Sequence, residues 1–146
     1  MESNHEKDAD ELERVQRRAT KMIQNISHLD YEERLKKLKL HSLYYRRVRG
    51  DLITVFKYLT GLITSENTDK MFPIADNHNL RGHQYKLNKV RSIHKVRYNF
   101  FTQRVVNMWN SLPSVVVNAP NSCTFKNRLD SHLTHLHYLQ TAPPRI

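Results

Sequence analysis

Cysteine is almost missing: Cys123 is the only one among 146 residues. An intrachain disulfide framework is therefore excluded, and a single thiol fits a reducing compartment. Glycine is scarce as well, and three residues leave no material for a P-loop or a dinucleotide-binding fingerprint. No apolar run approaches the ~20 residues that cross a bilayer. The opening MESNHEKDADELERVQ lacks both the apolar stretch of a secretory signal and the Arg-rich character of a transit peptide. An intracellular protein of nucleus or cytoplasm, with no membrane partner, is the expectation. The most informative absence is of negative charge. From Asn77 to Leu129 there is not one Asp or Glu.

What fills that acid-free block is cationic: Arg81, Lys86, Lys89, Arg91, Lys95, Arg97, Arg104, Lys126 and Arg128. A second basic run, from Arg14 to Arg49, is opposed only by Asp30, Glu32 and Glu33. The formal net charge is +10. Such an excess attracts polyanions, chiefly nucleic acid and secondarily anionic membrane, whereas a solvated basic face is the bland alternative.

Length predicts one helical domain over residues 1–140, with a frayed tail at 141–146. The fold class expected is mainly α, with about five helices and a short β-hairpin around 84–97. A first helix begins near Asp8 or Asp10 and carries the apolar stripe Leu12, Val15, Ala19, Met22 and Ile23, which should be its buried face. Asp30-x-x-Glu33 reads as a capping box for a short helix with Tyr31, Leu35 and Leu38 inward. Ser42 caps a longer helix through Leu59, with Leu52, Val55, Phe56 and Leu59 buried and Gly61 ending it. Within it Arg47 can pair with Asp51, and mid-helix Gly50 suggests a close approach by another backbone. Residues 62–80 have no clear period and read as a flexible loop. From Gln84 to Tyr98 an imperfect alternation fits one or two strands, the hairpin, with a helix as the alternative.

Asn99 to Asn110 is the densest aromatic stretch and the predicted centre of packing. Phe101, Val105, Met108 and Trp109 share a helical face there, and Pro113 follows its end. Ser122 caps a last helix with Phe125, Leu129, Leu133 and Leu136 inward.

Chemistry of the enzymatic kind is hard to assemble. The few carboxylates do not form the paired constellation of a two-metal phosphoryl-transfer site. His132, His135 and His137 cluster, but their offsets of three and five do not share one helical face, so neither a metal site nor a cofactor is expected. Cys123 has nothing nearby but a helix start to lower its pKa. The chain is not expected to be an enzyme in isolation. Basic ridges interleaved with aromatics suit phosphate tracking and stacking better.

The segments LERVQRRATKMI (Leu12–Ile23), HLDYEERLKKLKLHSLYYRRVRGDLITVFKYL (His28–Leu59), RGH (Arg81–His83), NFFTQRVVNMWNSLPSVVVNAP (Asn99–Pro120) and SCTFKNRLDSHL (Ser122–Leu133) occur in order. Together they resemble the C-terminal tail of non-LTR (LINE-type) retrotransposon reverse transcriptases, notably the jockey-like and chicken-repeat-like clades. The similarity runs from about Asp8 to Leu133. In that family the tail follows the fingers, palm and thumb of an RNA-directed DNA polymerase, and the palm's metal-binding Asp-Asp box has no counterpart here. Gln24-Asn25-Ile26-Ser27 stands where the family commonly has a Pro-Gly pair. The resemblance implies a 3′ remnant of an element, with no catalytic residue and with nucleic-acid handling as its role. RNA or DNA would be the partner, through Arg14, Arg17, Arg18, Lys21, Arg46, Arg47, Arg81, His83, Lys86, Arg91, Lys95, Arg97 and Arg104. The alternatives are a structural module that docks on the polymerase body, or a non-functional remnant reading frame.

Overall fold

The computed structural model describes residues 4–76, 81–89 and 100–140. The chain is mainly helical. Its described helices are α1 (Asn4–Lys21), α2 (Tyr31–Lys37), α3 (Leu43–Leu59), α4 (Thr68–Met71), α5 (Phe101–Asn110), α6 (Ser114–Val117) and α7 (Ser122–His132). Single 3-10 turns lie at Gln24–Ile26 and Thr134–Leu136. Two compact units are formed, one from Met1–Val48 with Leu133–Ile146, the other from Arg49–His132.

In the first unit α2 starts as its sequence dictates. Asp30 Oδ1 accepts from Glu33 N at 2.7 Å, and Asp30 N donates back to Glu33 Oε2 at 3.4 Å, completing the capping box. Tyr31, Leu35, Tyr45, Leu133 and Leu136 are buried. Ser42 caps α3 by accepting from Tyr45 N at 3.2 Å, and Ser42 N donates to His137 O at 2.9 Å. The rings of Tyr45, His41 and His137 cluster, with centroids 4.5–4.9 Å apart.

Helix α1 meets the rest of this unit by an unexpected face. The stripe assigned to the core is in solvent: Leu12, Val15 and Met22 are 62%, 63% and 83% exposed. Ala19 and Ile23 are exposed too. Buried instead are Glu13 and Thr20. The cause is hydrogen-bond matching. Glu13 accepts from Tyr31 Oη at 2.5 Å through one oxygen and from Leu43 N at 2.9 Å through the other. Gln16 donates to Tyr31 Oη at 3.0 Å, and the buried Arg34 donates to Thr20 Oγ1 at 3.2 Å and to Leu29 O at 2.5 Å. These groups lie roughly 100° around the helix from the apolar stripe. Leaving them unpaired in the interior would cost more than burying the five side chains of the stripe would gain.

In the second unit, α5 supplies the fully buried Trp109 together with Val105 and Val106. Phe125 of α7 stacks on Phe56 at 4.2 Å between centroids and tilts against Trp109 at 6.1 Å. The aromatic helix expected at the centre of the whole chain is thus described as part of this one unit, and the first unit has its own core. Within residues 62–76, read from the sequence as a loop, α4 forms and Phe72 is buried between Tyr58 and Phe101. Among the described residues no strand forms. The expected hairpin gives way to an isolated antiparallel bridge, Ile74 with Leu87, closed by Ala75 N to Lys86 O at 2.8 Å and Asn88 N to Pro73 O at 2.7 Å. Pairing is thus with the supposed loop, and residues 90–97 of the expected hairpin lie outside the described residues, as does the tail 141–146.

Three local readings also change. Among the described residues Gly50 has nothing within 4 Å of where a Cβ would stand, so none of their backbones approaches it. Asp51 is held by Arg104 and not by Arg47, whose guanidinium lies 5.9 Å from the Tyr44 ring centroid. The cap of α7 is Asn121, whose Oδ1 accepts from Thr124 N at 2.8 Å, one residue before the expected Ser122.

Candidate nucleic-acid interface

On the first unit, α1 presents Arg14, Arg18 and Lys21 to solvent. Among the described residues none of the three has an ion-pair or side-chain hydrogen-bond partner. A rise of 1.5 Å per residue spaces Arg14 and Arg18 about 6 Å apart along the axis, with Lys21 roughly a turn further on. No carboxylate interrupts α1 after Glu13, and Glu13 points into the unit. Arg17 is committed elsewhere. Its guanidinium lies 5.0 Å from the Tyr31 centroid and donates to Gln140 Oε1. Arg46 and Arg47 on α3 are exposed.

The buried Tyr31 hydroxyl that these contacts surround is pushed well above its ordinary range, first by burial and then by the hydrogen bond to Glu13. It stays protonated and donates, which suits the acceptor opposite it. Lys36, paired with Glu32 at 2.6 Å, is raised by that bond.

On the second unit the Arg-Gly-His segment is tied to α5. His83 is buried, with Nε2 3.0 Å from Trp109 O. Burial lowers its pKa, against the opposing pull of the Trp109 carbonyl. Trp109 Nε1 donates to Tyr85 O at 2.8 Å. Asn110 receives Leu87 N at 2.8 Å and returns Nδ2 to Leu87 O at 2.9 Å, so one carboxamide acts as the strand partner of one residue. The motif RGH and the Trp-Asn of α5 therefore hold each other in place. His83, expected from the sequence as a contact residue, is thus enclosed against Trp109. Arg81 is exposed, and Lys86 Nζ donates to Arg81 O, closing a loop at Gly82. Gly82 has φ +113°, and a Cβ there would stand 2.9 Å from Lys86 Cε. Arg104 makes a bidentate pair with Asp51 at 2.9 and 3.0 Å. Arg91, Lys95 and Arg97 lie outside the described residues.

Among the described residues no three His, Cys, Asp or Glu side chains gather as a metal site would require, and no helix is long and apolar enough to cross a membrane. One feature was missed at the level of sequence: a cleft at the start of α5, beside the exposed Phe100. Adjacent phenylalanines on a helix start cannot both face one core, and that was the available signal. No family model, curated protein or solved structure matches the chain.

Proposed function

We propose that this chain is a nucleic-acid-binding accessory region of the kind that follows the polymerase in LINE-type reverse transcriptases, without polymerase activity of its own. The observation that carries the proposal is the line of Arg14, Arg18 and Lys21 along α1, exposed and, among the described residues, without an internal partner. Cations with no internal counter-charge are free to replace the counterions of a phosphate backbone. The net charge of +10 and the acid-free stretch from Asn77 to Leu129 support the same partner. Arg46, Arg47 and Arg81 are further phosphate contacts, Arg17 and Lys86, whose head groups already donate within the chain, secondary ones, and Arg104 a structural residue.

Titration of a structured RNA across a salt series tests it. Affinity should fall linearly on a log–log plot as salt rises. Binding that ignores salt, or no binding at low salt, removes the assignment.

A second reading is favoured by the exposed stripe Leu12, Val15, Ala19 and Met22. Its 3-4-3 spacing is that of a helix-packing seam, and the basic flank beside it complements an amphipathic helix with acidic edges on the polymerase body. Under that reading the isolated chain self-associates whether or not RNA is present, which light scattering reports. Under the first it is monomeric alone and grows only by the mass of bound RNA.

A further inference from the structure

We propose that the cleft at the start of α5 is a pocket for a single unpaired nucleobase of RNA or DNA. It rests on the nucleic-acid reading above and names the ligand that a phosphate ridge alone leaves unspecified. The cleft encloses about 260 Å³. That is below the ~300–1,000 Å³ of pockets for drug-sized ligands, and it suits one flat ring system.

The lining has the chemistry of base recognition. Phe100 stands at the cleft with its side chain largely in solvent, while Phe72, Leu87 and Val106 make a buried apolar floor. Three carboxamides, Asn67, Asn88 and Gln103, line the walls. Among the described residues none of these side chains has a hydrogen-bond partner. Each offers a donor and an acceptor side by side, as base edges do. Lys70 adds one positive charge, and no carboxylate lines the cleft among the described residues.

The walls are also held in place before any ligand arrives. The Ile74–Leu87 bridge fixes one side, and Asn110 grips Leu87 through both its backbone groups. A base in a duplex has both faces stacked and its edge paired, so the pocket takes an unpaired one. Stacking on Phe100 tolerates any base, while the carboxamides grade among them.

The test measures fluorescence anisotropy with a single-stranded oligonucleotide and an abasic oligonucleotide of the same length and backbone. Wild type, Phe100→Ala, Phe100→Tyr and Gln103→Ala are compared. Wild type should bind the base-bearing strand about five- to a hundredfold tighter than the abasic one. Phe100→Ala should abolish that ratio without changing abasic affinity, Phe100→Tyr should keep it, and Gln103→Ala should narrow differences among bases. Equal wild-type affinity for the two strands, or a Phe100→Ala loss that is the same on both, overturns the pocket and leaves the phosphate reading standing. Binding of neither strand overturns both.

Discussion

Gly50 is a mid-helix glycine with open space where its Cβ would be, so only its cost remains. Gly50→Ala should stabilise the protein by about 0.5–1 kcal/mol in a urea titration. His83 carries the opposite kind of constraint. Its Nε2 is bonded to Trp109 O, and its buried Nδ1 has no partner among the described residues. Burial lowers its pKa from the ordinary 6.5, so the unfolded chain takes up the proton first as pH falls. Stability contributed by neutral His83 is therefore full above about pH 6.5, declines as pH drops from there toward the lowered value, and levels off below it. Urea midpoints between pH 7.5 and pH 5 should show that decline, and His83→Gln should flatten it. At this scale the sequence spoke clearly where the cause was local. Asp30 and Glu33 close their box, and Ser42 caps α3, because these bonds span three residues. Asp51 was misread because its partner Arg104 is 53 positions away, and spacing along one helix says nothing of that.

A helix shows its periodicity in the sequence, but not which of its faces is covered. Leu12, Val15, Ala19 and Met22 do share a face of α1, as their spacing requires; the unit simply packs the other side. What decides is the match between Glu13, Gln16 and Thr20 and the donors and acceptors of Tyr31, Arg34 and Leu43, all of them remote in sequence. Leu12→Ala should thus change stability by less than about 0.5 kcal/mol, although a core leucine would cost ~2–5. Glu13→Ala should cost about 1–3 kcal/mol, because the Tyr31 hydroxyl and the Leu43 amide lose their acceptor. Thermal unfolding of the pair discriminates the two faces. Of the face expected on helix α5, Val105 and Trp109 are buried, whereas Phe101 and Met108 are half-buried and Val106 is buried in their stead. Trp109→Ala should cost about 3–5 kcal/mol and loosen the Arg-Gly-His segment, because Tyr85 O loses its indole donor and the His83 ring loses its edge contact with the indole. The bridge of Leu87 was invisible for a different reason. Its partners are a residue of the supposed loop and one side-chain carboxamide, and neither leaves a period in the sequence.

For the whole molecule, charge was the most legible property, because it needs no geometry: the net charge of +10 and the lack of acid from Asn77 to Leu129 are read directly, and an excess of this kind attracts polyanions in general. Geometry then divides the cations. Arg104 is spent on Asp51, His83 is enclosed, Arg17 leans on Tyr31, and Arg14, Arg18 and Lys21 are left to solvent. The residue types alone made these candidates equal. Under the proposed function, α1 therefore carries a distinct share of the salt dependence of RNA binding. The measurement that tests this most directly is the salt slope of wild type against the triple variant Arg14→Ala, Arg18→Ala, Lys21→Ala on one structured RNA. Each lost phosphate contact should reduce the slope by about 0.7–0.9, so the triple variant should fall short of wild type by roughly two to three. Identical slopes for the two proteins would contradict the account.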